Sequence, residues 1–184
     1  MTAMPDYWIR EMAKRHNMIA PCADLRPRSG RISYGISSYG YDFRLAGEYK
    51  VPDFSGFKNL DPKKADRLKF RDHQGNFCWI PPNSYILGRS LEYFHIPRDI
   101  IVLCQGKSTY ARSGIIVNVT PLEPEWEGYI TISLVNAAPV AVKVYSGEGI
   151  AQAVFIRAES ECRVSYADRK GKYQAQQQIR LSKV

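Results

Sequence analysis

From Gly30 onward the chain is written in short runs rich in Tyr, Ile and Val, broken by Gly, Pro, Asn and Asp at intervals of roughly eight to twelve residues. Breaks that close together leave no room for helices of ordinary length, so the fold class is mainly β, a sandwich or a barrel. One helix precedes the run. Trp8, Ile9, Met12 and Ala13 recur at helical spacing, with Arg10, Lys14 and Arg15 on the opposite side, which predicts an amphipathic helix from Asp6 to His16. Asn17 or the turn after it ends that helix. A length of 184 residues suits one domain over 1–184, and no composition shift marks a second.

Within the β region, Arg31 to Arg44 alternates small polar residues with tyrosines, and Gly35 and Gly40 suggest bulges or close backbone approach. Pro52 to Gly75 carries prolines, glycine and charge, and predicts a long surface loop. Asn76–Ile80, Tyr85–Gly88, Ile100–Cys104 and Ile115–Thr120 read as strands. So does Tyr129–Asn136, whose faces can be assigned: Ile130, Ile132 and Leu134 share one, and Thr131 and Ser133 share the other. The polar face is a candidate site wall. Val140–Tyr145 and Ile150–Ile156, joined through Ser146-Gly147-Glu148-Gly149, predict a hairpin.

Composition narrows the function. The chain is 45% hydrophobic and 24% charged, has no apolar run near the roughly 20 residues of a membrane span, and opens on Met1-Thr2-Ala3-Met4-Pro5-Asp6 without a signal pattern. A cytoplasmic protein is expected. A net charge of +8 favours an anionic partner. The cations are scattered, however, and the densest group, Lys63 to Arg71, is interleaved with Asp61, Asp66 and Asp72, as in a solvated loop. Nucleic acid is therefore not the expected partner, nor is a membrane. Cys22, Cys78, Cys104 and Cys162 form no C-x-x-C pair and predict no disulfide framework. None of His16, His73 and His95 is followed by x-Glu, so the zinc deaminase signature is absent and no zinc is expected.

Chemistry concentrates in Gly106-Lys107-Ser108-Thr109-Tyr110-Ala111-Arg112-Ser113-Gly114, where glycines, hydroxyls and two cations share one turn. A strand entering a short helical turn aims free amides at an anion, with Lys107 and Arg112 adding charge. It is not a Walker motif, which needs glycine where Ile101 stands. The alternative is a capped surface turn with solvated cations. Gln152, an amide inside an apolar strand, is either a satisfied core residue or a ligand contact. Tyr166 to Gln178 is too polar for core and reads as a frayed tail.

Taken together, these segments resemble the dCTP deaminase family of the trimeric dUTPase superfamily. The resemblance rests on Tyr7-Trp8-Ile9 with Met18-Ile19, Ile32 to Asp42, Ile80-Pro81-Pro82-Asn83-Ser84, Glu92-Tyr93-Phe94, Gly106 to Arg112, Val117 to Pro121, Glu123 to Gly128, Gly149 to Gln152 and Gly171-Lys172-Tyr173-Gln174. It implies a distorted, dUTPase-like β-barrel, a homotrimer with shared sites, Mg²⁺ on the nucleotide phosphates, and zinc-independent conversion of dCTP and water to dUTP and ammonia. It also implies roles. Lys107, Ser108, Thr109, Tyr110, Ala111 and Arg112 would hold the triphosphate, with Arg112 reaching a neighbouring subunit's site. Glu123 would bind the deoxyribose 3′-hydroxyl, and Thr131, Ile132 and Ser133 would line the base pocket. Gln152, Tyr166, Lys172 and Gln176 would serve a tail, 160–184, that closes over the phosphates. The catalytic set would be position 133 with Arg112 and Ser108.

At position 133 the chain departs from the family, which carries a catalytic glutamate there, counted from Trp126 and Gly128; this chain has Ser133. Metal-free deamination needs a base to take a proton from water and an acid to give one to ammonia, and a serine hydroxyl is a poor proton acceptor. Three readings stay open: a deoxycytidine nucleotide deaminase altered by Ser133, a dUTPase-type pyrophosphatase using Glu123, and a catalytically silent nucleotide binder.

Overall fold

Long antiparallel strands carry this fold, and the longest bends between two groups of partners. The structure, a computed structural model, describes residues 1–24 and 30–182, apart from the side chains of Ala65 and Asp66. The Asp66 carboxylate expected among the Lys63–Arg71 cations, and Lys183 and Val184 at the end of the expected tail, lie outside the described residues. In chain order the elements are β1 (Thr2–Ala3), α1 (Asp6–His16), β2 (Ile19–Ala20), β3 (Gly35–Ser37) and β4 (Gly40–Asp53). After a 3₁₀ turn at Pro62–Arg67 come β5 (Lys69–Gln74), β6 (Phe77–Ile80), β7 (Ser84–His95) and β8 (Ile100–Gly106). The helical turn α2 (Ser108–Ala111) leads into β9 (Ile115–Asn118), β10 (Glu127–Asn136), β11 (Val142–Tyr145) and β12 (Gly149–Arg157).

The main sheet runs β1-β12-β4-β7-β10-β9, with β8 on β12, β3 and β5 on β4, and β2 on β7. The first half of β4 pairs with β12 through Tyr41 to Arg44, and the second half pairs with β7 and β5 from Leu45 onward. A register shift between Leu45 and Tyr49 makes that change of partner, so one strand curls the sheet around a single core. Tyr41, Phe43, Leu45, Ile86, Phe94 and Phe155 are completely buried there, each stabilising the fold by about 1.5–3 kcal/mol. On β10 burial alternates strictly, and Ile130, Ile132 and Leu134 face the core as the period of two requires.

The helix forms where its spacing predicts. Ile9 and Ala13 are buried, Trp8 packs on Phe155 with ring centroids 6.3 Å apart, and Asn17 ends the helix in the left-handed region at φ 51°. Gly40 is a close-approach glycine, as its spacing suggests: a Cβ there would lie 2.8 Å from the Ala153 carbonyl oxygen.

Four expectations need correction. Pro52 to Gly75 is only partly loop, because β4 continues to Asp53 and Lys69–Gln74 pairs along it as β5. That edge strand is exposed at nearly every position, so it has no apolar alternation to read. The strand begun at Tyr85 does not stop at Gly88 but runs to His95, with the polar Ser90 and Glu92 completely buried. The predicted hairpin does not form: β11 pairs with β6 in a separate two-stranded sheet, while β12 enters the main one. The turn at Ser146–Glu148 separates them by bonding elsewhere, Ser146 N to Asn76 O at 2.9 Å and Gly147 N to Leu45 O at 2.8 Å. Finally, the tail is not frayed. Gln176 and Ile179 are buried, and the tail backbone bonds to the start of β10 through Ala175 N to Glu127 O and Tyr129 N to Gln176 O, both 3.0 Å.

Candidate nucleotide site

The turn expected to cradle phosphate is present and open. The amides of Tyr110 and Ala111 donate back to the Lys107 carbonyl, closing α2, while those of Ser108 and Thr109 make no hydrogen bond among the described residues. The Ser108 and Thr109 side chains are exposed, and so is Arg112, which makes no ion pair among the described residues. Ala111 is exposed beside them. Tyr110 points the other way: its buried hydroxyl accepts the Tyr145 amide at 3.0 Å, and burial pushes the phenol up to about 12. Its side chain anchors the turn to the core.

Lys107 is not a loose surface cation. Its ammonium donates to Asp42 Oδ2 at 2.6 Å and to Ser33 Oγ at 3.1 Å, with both members of the ion pair largely buried. Two residues that the sequence reading did not single out therefore hold the cation, and there was a sign of them. Asp42 is a carboxylate inside a strand of buried aromatics, a place where a charge needs a partner. Gln152 stands opposite Asp42 across β12 and β4 and donates to Ser37 Oγ at 2.9 Å. It is a satisfied, half-buried amide at the edge of the same polar group.

A second group gathers around β10. Thr131 and Ser133 are half-buried on its outer face, while the Ile132 side chain is completely buried on the inner one. The strand is irregular here: the register against β7 shifts between Tyr129 and Thr131, and the Ile130 amide donates to Ser90 Oγ at 2.8 Å. Thr131 then faces Arg89, whose guanidinium pairs with Glu48 at 2.9 Å and lies 4.3 Å from the centre of the Tyr129 ring. Ser133 sits opposite Leu87 on one side and Asn118 on the other. None of its register partners carries a carboxylate.

The tail completes this second group. Gln176 donates through Nε2 to the Tyr129 carbonyl and to Thr131 Oγ1, and the Arg180 amide reaches the same hydroxyl at 3.2 Å. Tyr166 accepts the Tyr173 amide on its hydroxyl at 3.1 Å and donates its own amide to the Pro124 carbonyl. Glu123 is ion-paired with Arg169 of the tail. Lys172 is exposed, with its ammonium 5.7 Å from the centre of the Tyr173 ring. Thus the tail brings Gln176 onto Thr131, and Tyr166 and Arg169 onto the Glu123 loop, while Gln152 stands opposite the Asp42 that holds Lys107 beside Ser108 and Thr109.

Deeper in the barrel, Glu92 is completely buried and accepts from the Arg44 guanidinium at 2.7 Å, the Arg44 amide at 2.9 Å and the Tyr41 hydroxyl at 3.2 Å. Burial pushes its carboxyl above the usual range, against the pull of Arg44. This cluster braces β4 against β7. Among the described residues no group of three or more His, Cys, Asp or Glu side chains could hold a metal ion, and no helix is long and apolar enough to cross a membrane.

Residues 4–158 match the dCTP deaminase-like family model. Curated relatives named dCTP deaminase align along their whole length and along all of this chain, at 52% identity in Granulibacter bethesdensis and 53% in Acidovorax sp. strain JS42. Among solved structures, a 2′-deoxycytidine 5′-triphosphate deaminase from Agrobacterium tumefaciens shares the fold, with a TM-score of 0.63 at 16% identity over 84% of this chain; the chain spans 47% of that protein's length. With a family model covering most of the barrel and relatives above half identity from end to end, the chain belongs to the dCTP deaminase-like family.

Proposed function

We propose that this chain is a hydrolase built to bind a deoxycytidine nucleotide and replace its amino group, dCTP and water giving dUTP and ammonia. The observation that carries the reading is the cradle: two amides without a hydrogen bond among the described residues and two exposed hydroxyls, beside a lysine fixed by Asp42, in a chain matched throughout by dCTP deaminases. The amides, the hydroxyls, Lys107 and Arg112 are donors of the kind that bind phosphate oxygens. Mg²⁺ would arrive as part of the nucleotide substrate, held through its phosphates, while the Asp42 carboxylate stays on Lys107. Glu123 would take the sugar and Thr131 the base, while Tyr166 and Gln176 of the tail would close over the phosphates. Exposed Arg112 and the exposed apolar side chains of Leu103, Ile116 and Val140 support a homotrimer in which a neighbouring chain completes each site. Unpaired thiols at all four cysteines suit the cytoplasm.

In the reaction, the oxygen of water bonds to C4 of the base as a proton leaves it, and the bond from C4 to nitrogen breaks as that nitrogen gains a proton. Both transfers need a group that exchanges protons near neutral pH. Ser133, between Leu87 and Asn118, is not such a group. That surrounding favours a second reading, a nucleotide binder with little or no turnover. The deciding experiment incubates the pure chain with Mg²⁺ and dCTP, dCMP or dUTP, and resolves ammonia, pyrophosphate and nucleotide products. Ammonia with dUTP establishes the deaminase. Pyrophosphate with a monophosphate makes it a pyrophosphatase through Glu123, and tight binding with neither product makes it a silent binder.

A further inference from the structure

Most of the tail beyond β12 lacks regular secondary structure, so something must offset the cost of ordering it, about 1–2 kcal/mol per residue for the backbone alone. Apolar burial contributes little, because in its described part Ile179 is the only buried hydrophobic. Polar contacts converge instead on Arg98, in the turn between β7 and β8. Its Nη1 donates to Glu125 Oε2 at 2.6 Å, and its Nη2 donates to Asp168 Oδ2 at 2.8 Å and to the Arg163 carbonyl at 3.2 Å. Glu161 adds a fourth contact at 4.0 Å. One guanidinium thus ties the loop that carries Glu123 to the segment that leads into Tyr166.

Both carboxylates are shaped for that role. Glu125 sits in the left-handed region at φ 61°, a conformation that a non-glycine residue holds only when its surroundings enforce it, and its amide is fixed to Ile96 O at 3.0 Å. Asp168 also accepts the Ser165 amide at 3.0 Å, while Ser165 Oγ accepts the Asp168 amide, so the acid is held by its own turn before it meets Arg98. The Ser165 amide and Arg98 together keep its carboxyl below the ordinary range. Isolated surface ion pairs contribute little, but a fork of fixed donors on two oriented carboxylates is the exception.

We propose that Arg98 is a positioning residue: it clasps the tail to the Glu123–Glu127 loop and so sets Tyr166 and Gln176 beside Glu123 and Thr131. The role rests on the reading of those residues as nucleotide ligands. Lysine cannot replace it, since a single ammonium lacks the fork that meets Glu125 and Asp168 together.

The test makes Arg98→Ala, Arg98→Lys and Asp168→Ala in the full chain, and follows amide hydrogen exchange and dCTP affinity by calorimetry. In all three, the Tyr129 and Ala175 amides, which hold the tail on β10, should exchange about tenfold faster or more, while amides in β4 and β12 stay protected. Affinity for dCTP should fall about tenfold, with Arg98→Lys close to Arg98→Ala and the double variant Arg98→Ala/Asp168→Ala no worse than either single one. Unchanged exchange at Tyr129 and Ala175 in a folded Arg98→Ala chain would overturn the clasp. Faster exchange with unchanged dCTP affinity would keep the clasp and overturn the positioning role, together with the assignment of Tyr166 and Gln176 to the nucleotide.

Discussion

Single residues in this chain carry charges whose value depends on what holds them. Arg112 is exposed and without an ion-pair partner among the described residues, so Arg112→Ala should leave the fold intact and weaken dCTP binding by about 1.5–3 kcal/mol in calorimetry. Lys107→Ala should weaken binding similarly and also cost about 3–5 kcal/mol of stability in urea, because Asp42 would remain buried without its cation. Position 133 tests chemistry alone. Ser133 lies on the outer face of β10, half-buried, so a glutamate there would project away from the core and fold. Ser133→Glu should raise ammonia release from dCTP by about 10² or more with little change in binding. A folded, dCTP-binding Ser133→Glu chain with no faster release would show that more than a base is missing. Glu92 gives the chain a pH signature. Its folded value lies above its unfolded one, so the folded state binds more protons between the two and stability falls as pH rises through that window. Urea midpoints from pH 4 upward should show this decline flattened in Glu92→Gln.

At the scale of elements, the tail and β10 depend on a glycine. Gly128 has φ 141°, and a Cβ there would lie 2.9 Å from the Gln176 amide nitrogen and 3.0 Å from its carbonyl oxygen. Gly128→Ala should therefore push Gln176 off the strand at a cost of about 1–3 kcal/mol. Faster exchange at Tyr129 and Ala175, with weaker dCTP binding and an unchanged far-ultraviolet spectrum, is the expected outcome. The same element explains where the sequence was legible. Along β10, Ile130, Ile132 and Leu134 alternate with Thr131 and Ser133, and the strand fell where that pattern put it. Exposed β5 has no such pattern, and its pairing with β4 is visible only in the register. For β11 and β12 the turn residues invite a hairpin, yet backbone bonds from Ser146 and Gly147 to distant strands send the two runs to different sheets.

For the whole molecule, the expected assembly is a trimer. Sedimentation at micromolar concentration should give about three times 21.0 kDa, and a clean monomer that still binds nucleotide would contradict it. The physical motive is that Arg112 of the cradle is exposed without an ion-pair partner among the described residues, and that apolar Leu103, Ile116 and Val140 are exposed as well.

The sequence by itself determined the class of the fold, the helix from Asp6 to His16, the open turn at Lys107–Arg112 and the two faces of β10, because each follows from neighbours within a few residues. Only the tertiary structure decided that Lys107 is neutralised by Asp42, that Arg89 and Glu48 flank Thr131, and that Arg98 and Arg169 bind the tail to the Glu123 loop. Those pairs join residues 27 to 70 positions apart. Contacts at such separations leave no periodic trace in the chain, and their partners are fixed by the curl of β4 and the docking of the tail.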